Sequence, residues 1–125
     1  MSRRLKVFLD GGCRPNPGQI EAAVVVRGIA HHFADLGTGS NTDAEWQALF
    51  CALRLVQDLG LHDVELITDS REVVLQANQV LNTGHASGTH AAAFLALLTH
   101  HRPARIRWIK REQNLAGIAL EARRR

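Results

Sequence analysis

The chain has 125 residues, a hydrophobic content of 46% and a formal net charge of +3. This length predicts a single domain over residues 1–125, with enough core to fold without a disulfide or a structural metal. No apolar run approaches the roughly 20 residues of a membrane span, and the N-terminus lacks the apolar segment of a secretory signal. Cys13 and Cys51 have no metal-ligand spacing, so we expect two free thiols and a cytoplasmic protein.

The first part of the chain predicts three successive antiparallel strands. Apolar residues 5–9 form a strand that ends at Asp10, and a turn rich in glycine and proline follows over 11–18. The β-branched segment 20–27 and the run 29–36 form the next two strands. Strands joined directly by short turns favour antiparallel pairing.

Helices and strands alternate in the remainder. The pattern predicts a helix over 44–59, a strand over 63–68, helices over 70–81 and 90–101, a strand over 104–110 and a last helix over 114–123. Thr42 or Asp43 is expected to cap the first helix, and Thr89 the third. Helical crossovers place the later strands parallel to the first. The prediction is an α/β fold with a five-stranded mixed sheet, three antiparallel strands followed by two parallel ones, and helices on both faces.

Three carboxylates occupy informative positions in this arrangement. Asp10 ends the first strand, Asp69 ends the fourth, and Glu45 lies at the start of the first helix. Each has an ordinary alternative explanation, as a turn residue, a helix cap or a partner of the helix dipole. If the two strands are parallel, however, the acids meet at one sheet edge, where they repel each other unless cations neutralise them. Oxygen ligands of this kind select Mg²⁺ or Mn²⁺.

Four short motifs, in order, resemble those of type 1 ribonuclease H proteins. The segment Asp10 to Gly18 is similar to the opening D-G-[SG]-x…N-P-G pattern, and Asn41 to Leu49 resembles the N-x-x-A-E-x-x-A-L helix start. The segment 67–70 resembles the third carboxylate motif, and 108–114 resembles the closing strand with its V-x-R-E-x-N turn. Together these motifs extend over essentially the whole chain.

This resemblance implies a ribonuclease H-like fold and hydrolysis of the RNA strand in RNA–DNA hybrids. Asp10, Glu45 and Asp69 would be ligands of two Mg²⁺ ions, with Mn²⁺ as an alternative. One ion would activate water, and the other would stabilise the departing 3′ oxygen. The expected partner is the RNA–DNA hybrid, with no membrane, no obligate protein partner and a monomeric enzyme.

The resemblance also implies a set of substrate contacts. The backbone of the first turn and one asparagine would meet the ribose 2′-hydroxyls of the RNA strand, the group that distinguishes RNA from DNA. Other polar residues match positions near the strand-discriminating surface or near a phosphate. The implied substrate-binding residues are Gly11, Gly12, Cys13, Asn16, Asn41, Gln47, Ser70 and Arg71.

The last helix departs from the family pattern. The family usually has a fourth Asp four residues after an Asn, whereas here Ile118 follows Asn114 at that spacing and no Asp occurs after Asp69. Asn114 is the favoured substitute ligand, with Glu121 as the alternative and a plain helix cap as the competing explanation for Asn114. The missing acid also leaves open a second function, a catalytically weak or inactive hybrid-binding module. Hybrid affinity would rest on scattered Arg residues and the tail 123–125.

Overall fold

A computed structural model describes residues 4–124. The strands are β1 (Leu5–Cys13), β2 (Gly18–Val26), β3 (Ile29–Phe33), β4 (Thr38–Gly39), β5 (Val64–Thr68) and β6 (Arg105–Trp108). The helices are α1 (Asn41–Asp58), α2 (Arg71–Thr83), α3 (Thr89–Leu97) and α4 (Leu115–Arg124), with a 3₁₀ turn at Arg111–Gln113. The end of the basic tail, Arg125, lies outside the described residues. None of the helices within 4–124 is both long and apolar enough to cross a membrane.

The main sheet has the strand order β3-β2-β1-β5-β6. β1, β2 and β3 pair antiparallel, β5 pairs parallel to β1, and β6 pairs parallel to β5. This confirms the predicted sheet of three antiparallel and two parallel strands. The short strand β4 pairs with the start of β2, in a segment that the sequence predicted as loop.

Alternating side chains of the sheet supply two separate cores. The larger core lies between the sheet and α1, α2 and α3, and includes Leu9, Val24, Leu66, Trp46 and Phe94. The smaller core lies under α4 on the opposite face, and includes Ala23, Val25, Ala116 and Leu120, with Phe8 packed against it. Neighbouring residues of a strand point to opposite faces, so Phe8 and Leu9 serve different cores. The predicted placement of helices on both faces is therefore confirmed.

β1 is longer than the sequence predicted, which changes the position of Asp10. The parallel pairing with β5 ends at Phe8, opposite Ile67, but the antiparallel pairing with β2 continues to Cys13. Asp10 therefore lies within the strand, and the predicted end of the strand at this residue is wrong. Glycines tolerate an extended conformation, so the Gly11-Gly12 pair did not end the strand.

α1 begins earlier than predicted. Its N-cap is Ser40, whose hydroxyl accepts a hydrogen bond from the Asp43 backbone N–H, while the Asp43 carboxylate accepts one from the Ser40 N–H. This reciprocal capping box replaces the expected cap at Thr42 or Asp43. Since the helix starts at Asn41, Glu45 lies in its second turn and not in its first.

α3 is shorter than predicted and ends at Leu97. Gly88 precedes its first residue and supplies no side-chain cap, so the expected cap at Thr89 is wrong. His90 is half-buried and stacks on Trp46 with ring centroids 5.6 Å apart, and its Nε2 lies 2.8 Å from Asp43 Oδ1. The histidine thus joins α3 to the start of α1.

The close approach of α1 to β1 requires glycine at position 11. A methyl group on Gly11 would overlap the Ala44 carbonyl oxygen in the backbone of α1, whereas one on Gly12 would meet only the end of an arginine side chain at 3.2 Å. We expect Gly11→Ala to lower the free energy of unfolding by roughly 1–3 kcal/mol, because a helix backbone must move. Urea denaturation measures this change. Gly12→Ala is the matched control, and equal losses in both variants would contradict the packing described.

Candidate active site

An open cleft of about 710 Å³ lies at the sheet edge where β1 extends beyond β5. The ends of β1 and β5 form part of its wall, the second turn of α1 contributes one acid, and α4 closes the opposite side. The three predicted carboxylates Asp10, Glu45 and Asp69 all line it, together with Arg111, Ile118 and Arg124. The tertiary structure therefore brings together the acids that the sequence separated by 59 positions, from 10 to 69.

Asp10 is partly buried between the sheet and α4. It points to the same sheet face as Phe8, toward α4, and its Oδ2 lies 3.4 Å from the place that a Cβ on Gly117 would take. Burial raises the pKa of Asp10 to about 7, and the negative charges of Asp69 and Glu45 add to the increase. The positive charge of Arg111 and a hydrogen bond with the Gly11 backbone oppose it.

Glu45 is held by the hydroxyl of Ser70, which lies between β5 and α2. Ser70 Oγ donates a hydrogen bond to Glu45 Oε2 at 2.7 Å, and the same oxygen accepts the Val73 N–H as the N-cap of α2. Burial raises the pKa of Glu45, the Ser70 hydrogen bond lowers it, and the negative charge of Asp69 raises it further. Ser70 thus fixes the direction of the carboxylate.

Asp69 is held from the last helix. Asn114, which is fully buried, donates one hydrogen bond from Nδ2 to Asp69 Oδ2 and another to the Leu9 carbonyl oxygen, each at 3.0 Å. Trp108 Nε1 donates to the Asp69 carbonyl oxygen at 3.1 Å. The backbone of Asp69 is therefore positioned by the end of β6, and its side chain by the segment that follows β6.

The contacts of Asn114 are those of a helix cap and a positioning residue. Its Oδ1 accepts a hydrogen bond from the Ala116 N–H at 3.1 Å, at the start of α4. The amide oxygen that a cation would need is used in this way, so the metal-ligand role stays a prediction without geometric support. Glu121, the alternative, lines the cleft in an exposed ion pair with Arg14 at 3.0 Å.

The donor set suits a hard divalent cation. Carboxylate oxygens are the ligands that Mg²⁺ and Mn²⁺ take, and a cation would remove the repulsion that raises the pKa of Asp10. Within residues 4–124, no three Asp, Glu, His or Cys side chains approach closely enough to form one metal cluster. Hydrogen bonds from Ser70 and Asn114 hold two of the three acids, Glu45 and Asp69, in this arrangement.

Three predicted substrate residues are hydrogen-bonded to one another. Asn41 Oδ1 accepts the Cys13 N–H at 3.2 Å and the Cys13 thiol at 3.3 Å, and Asn16 Oδ1 accepts the Asn41 N–H at 3.2 Å. These bonds join the turn after β1 to the start of α1. Gly11, Gly12, Cys13 and Asn41 line the cleft, and Asn16 is exposed beside them.

The other predicted substrate residues lie elsewhere or have other contacts. Ser70 is buried and holds Glu45, while the exposed Arg71 places its guanidinium carbon 4.0 Å from the ring centroid of Trp108. Gln47 is half-buried on α1 and is not part of the cleft wall. Their substrate contacts stay predictions.

Two arginines, Arg111 and Arg124, line the cleft although the sequence did not place them there. Arg111 lowers the pKa of both Asp10 and Glu45, and its place in the closing motif was a signal that it follows a parallel strand to the same edge. Arg124 was expected only as part of the basic tail, and its pairing with Glu21 gave no signal, because 103 positions separate the two residues. Ile118 lines the cleft at 54% exposure, at the position where the family resemblance leads us to expect a fourth acid.

Asp10 makes the metal-free protein less stable as the pH rises. A carboxyl with a higher pKa in the folded protein than in the unfolded chain binds its proton more tightly when folded. The contribution of Asp10 to the free energy of unfolding is therefore most favourable below pH 4, and it is lost as the pH rises to about 7. Between about pH 5 and 8.5, we expect the free energy of unfolding of the parent protein to fall by roughly 2–3 kcal/mol more than that of Asp10→Asn.

Urea denaturation in EDTA at the two pH values measures this difference. Asp58→Asn is the matched control, because this side chain is exposed at the end of α1 and the same charge is removed. An unchanged pH dependence in Asp10→Asn would show that Asp10 does not titrate as described.

A family described as reverse transcriptase-like matches residues 8–122. Among characterised relatives, ribonuclease HI of Halobacterium salinarum is 34% identical over 85 residues, covering 64% of this chain and 43% of its own length. Ribonuclease H of Pseudomonas fluorescens is 31% identical over 96 residues, covering 74% of this chain and 63% of its own length. The matched segments are thus less than two thirds of these relatives.

Solved structures show the same fold. RNase H1 of Halobacterium salinarum superposes with a TM-score of 0.68 at 26% identity, over 96% of this chain and 99% of that one. LC11-RNase H1, solved in complex with an RNA/DNA hybrid, gives a TM-score of 0.65 at 24% identity, over 90% and 89%. These likenesses show the fold; the family match over residues 8–122, together with the ribonuclease H relatives, shows that the chain belongs to the ribonuclease H family.

Proposed function

We propose that this protein is a divalent-metal-dependent endonuclease that hydrolyses the RNA strand of RNA–DNA hybrids. The observation that carries the proposal is the cleft that Asp10, Glu45 and Asp69 line together, where burial and then the charges of Asp69 and Glu45 raise the pKa of Asp10. Membership of the ribonuclease H family supports phosphodiester hydrolysis as the chemistry of this cleft. Ribonucleases H from an archaeon and a bacterium are among its relatives.

In this proposal Asp10, Glu45 and Asp69 hold two ions, Mg²⁺ or Mn²⁺. Such ions, when bound, lower the pKa of water and stabilise the departing oxygen. The contribution of the surrounding protein is orientation: Ser70 directs Glu45, and Asn114 directs Asp69. Asn114 is thus proposed as a positioning residue in place of the expected metal ligand.

The end of β1 is the proposed contact with the RNA strand. Gly11, Gly12 and Cys13 line the cleft beside Asp10, and glycines let a ribose approach the backbone closely. Asn41 and Asn16 use their amide oxygens within the protein, which leaves their amide nitrogens for acceptors on the nucleic acid. A 2′-hydroxyl has such an acceptor.

One observation favours the second function, an inactive or weak hybrid-binding module. Ile118 lines the cleft where the family has an acid, and an aliphatic side chain cannot hold a cation. Fewer ligand charges mean weaker metal binding. The two functions share the hybrid as partner and differ in whether the bound strand is cleaved.

We extend the proposal to a monomer in the cytoplasm. Cys13 and Cys51 are both free and buried, as expected of a protein in a reducing compartment. The hybrid partner needs only the cleft of one chain, since all proposed metal ligands come from it.

Cleavage of a labelled RNA–DNA duplex, assayed separately with Mg²⁺ and Mn²⁺, tests the proposed activity. We expect cleavage of the RNA strand alone, and a loss of at least about 100-fold in Asp10→Asn, because the central carboxylate no longer holds a cation. Asp58→Asn, which removes an exposed acid of the same kind, should keep full activity. Hybrid binding without cleavage under either ion would support the inactive module instead.

Restoring the missing acid should strengthen metal binding. In Ile118→Asp a carboxylate would enter the cleft one residue after Gly117, which lies against Asp10. We expect the Mg²⁺ concentration for half-maximal cleavage to fall roughly tenfold, because one more anionic ligand faces the ions. Leu115→Asp is the matched control, since Leu115 is 45% exposed on α4 but lies outside the cleft. Equal metal requirements in the two variants would refute this placement of Ile118.

A further inference from the structure

Arg124 connects the end of α4 to the second strand. Its Nε donates a hydrogen bond to Glu21 Oε2 at 3.0 Å, and only 15% of the arginine side chain is exposed. Glu21 pairs in register with Gly12, on the strand next to β1. The ion pair therefore holds the guanidinium directly beside the end of β1.

The guanidinium lies against Gly12 on the cleft wall. A Cβ at Gly12 would be 3.2 Å from Arg124 Nη2 and 3.4 Å from Nη1, so the absence of a side chain at this position makes the space for it. Arg124 and Gly12 both line the cleft that contains Asp10. Arg123, the preceding residue of the same helix, is exposed and does not line it.

Within residues 4–124, the terminal nitrogens of Arg124 have no hydrogen-bond partner. Nη2 is buried and unpaired, and Glu21 receives a bond only from Nε. A guanidinium presents five N–H donors in a planar fork. Leaving a charged donor unpaired is unfavourable, so an anionic oxygen that reached the guanidinium from the cleft, with a small rotation that uncovers Nη2, would stabilise it.

We infer that Arg124 binds a phosphate of the RNA strand at the end of β1, with Glu21 as its positioning residue. The inference rests on the proposed function, because it assigns the ligand as part of an RNA–DNA hybrid in the same cleft. The RNA strand is the one concerned, since Arg124 lies against Gly12, whose backbone is proposed to face the RNA ribose. Arginine suits this task because one edge can hold Glu21 while the end of the fork meets the phosphate.

Hybrid binding at several salt concentrations tests the contact. All proteins carry Asp10→Asn, so that the substrate stays intact in Mg²⁺, and fluorescence anisotropy reports the Kd. We expect Arg124→Gln to raise the Kd roughly tenfold and to reduce the slope of log K against log salt by about 1. Arg27→Gln, which removes the same charge at the exposed turn between β2 and β3, outside the cleft, should change the Kd less than about twofold.

A second variant separates a phosphate contact from general charge and from folding defects. Arg124→Lys keeps the net charge, and its single ammonium can pair with Glu21, but it cannot also reach the phosphate. We expect it to bind the hybrid at least about fivefold more weakly. A neutral methylphosphonate at one linkage of the RNA strand should then weaken the binding of the parent protein but not that of Arg124→Lys. Equal effects on both proteins at every linkage would overturn the phosphate assignment.

The outcomes also separate this inference from the proposed function. If the parent protein binds the hybrid and both Arg124 variants bind it equally well, the inference is wrong and the proposed function stands. If the parent protein does not bind the hybrid at all, both are wrong.

Discussion

The side-chain amide of Asn114 takes the place of a missing strand partner. β1 extends past β5, so the Leu9 carbonyl lies beyond the last parallel pair and needs another donor. Asn114 Nδ2 provides it and also binds Asp69 Oδ2, while Oδ1 accepts the Ala116 N–H. A fully buried amide must satisfy its hydrogen bonds, so β1, the end of β5 and the start of α4 are held in one arrangement. The positions of the acids depend on it.

This arrangement places negative charge where burial makes it costly. The pKa of Asp10 rises because its carboxylate is enclosed between the sheet and α4 and faces two other acids. The burial of Asp10 and the repulsion between the acids lower the stability of the metal-free protein at high pH, and they also favour the binding of cations. Such a loss of stability is common at functional sites. Arg111 offsets part of the negative charge, and hydrogen bonds from Ser70 and Asn114 orient Glu45 and Asp69.

The sequence predicted the directions of strand pairing well and the local boundaries less well. The apolar stripes identified helices between the later strands, and strands joined by a helical crossover are expected to be parallel. The end of β1 was misplaced because the Gly11-Gly12 pair is compatible with both a turn and an extended strand. Ser40 was missed as the cap of α1 because Thr42 and Asp43 are equally good capping residues, and only the hydrogen-bond geometry selects one. α3 ended early for a reason that no single residue reveals.

The sequence alone determined the residue types of the site: one acid on β1, one directly after β5 and one on α1, glycines beside the first of them, and an isoleucine where the family resemblance leads us to expect a fourth acid. Only the tertiary structure decided what the supporting side chains do. Ser70 holds Glu45, Asn114 holds Asp69, and Arg124 reaches Gly12 from a helix more than a hundred residues away. These roles follow from contacts between distant segments, and spacing along the chain carries no information about which donor meets which acceptor.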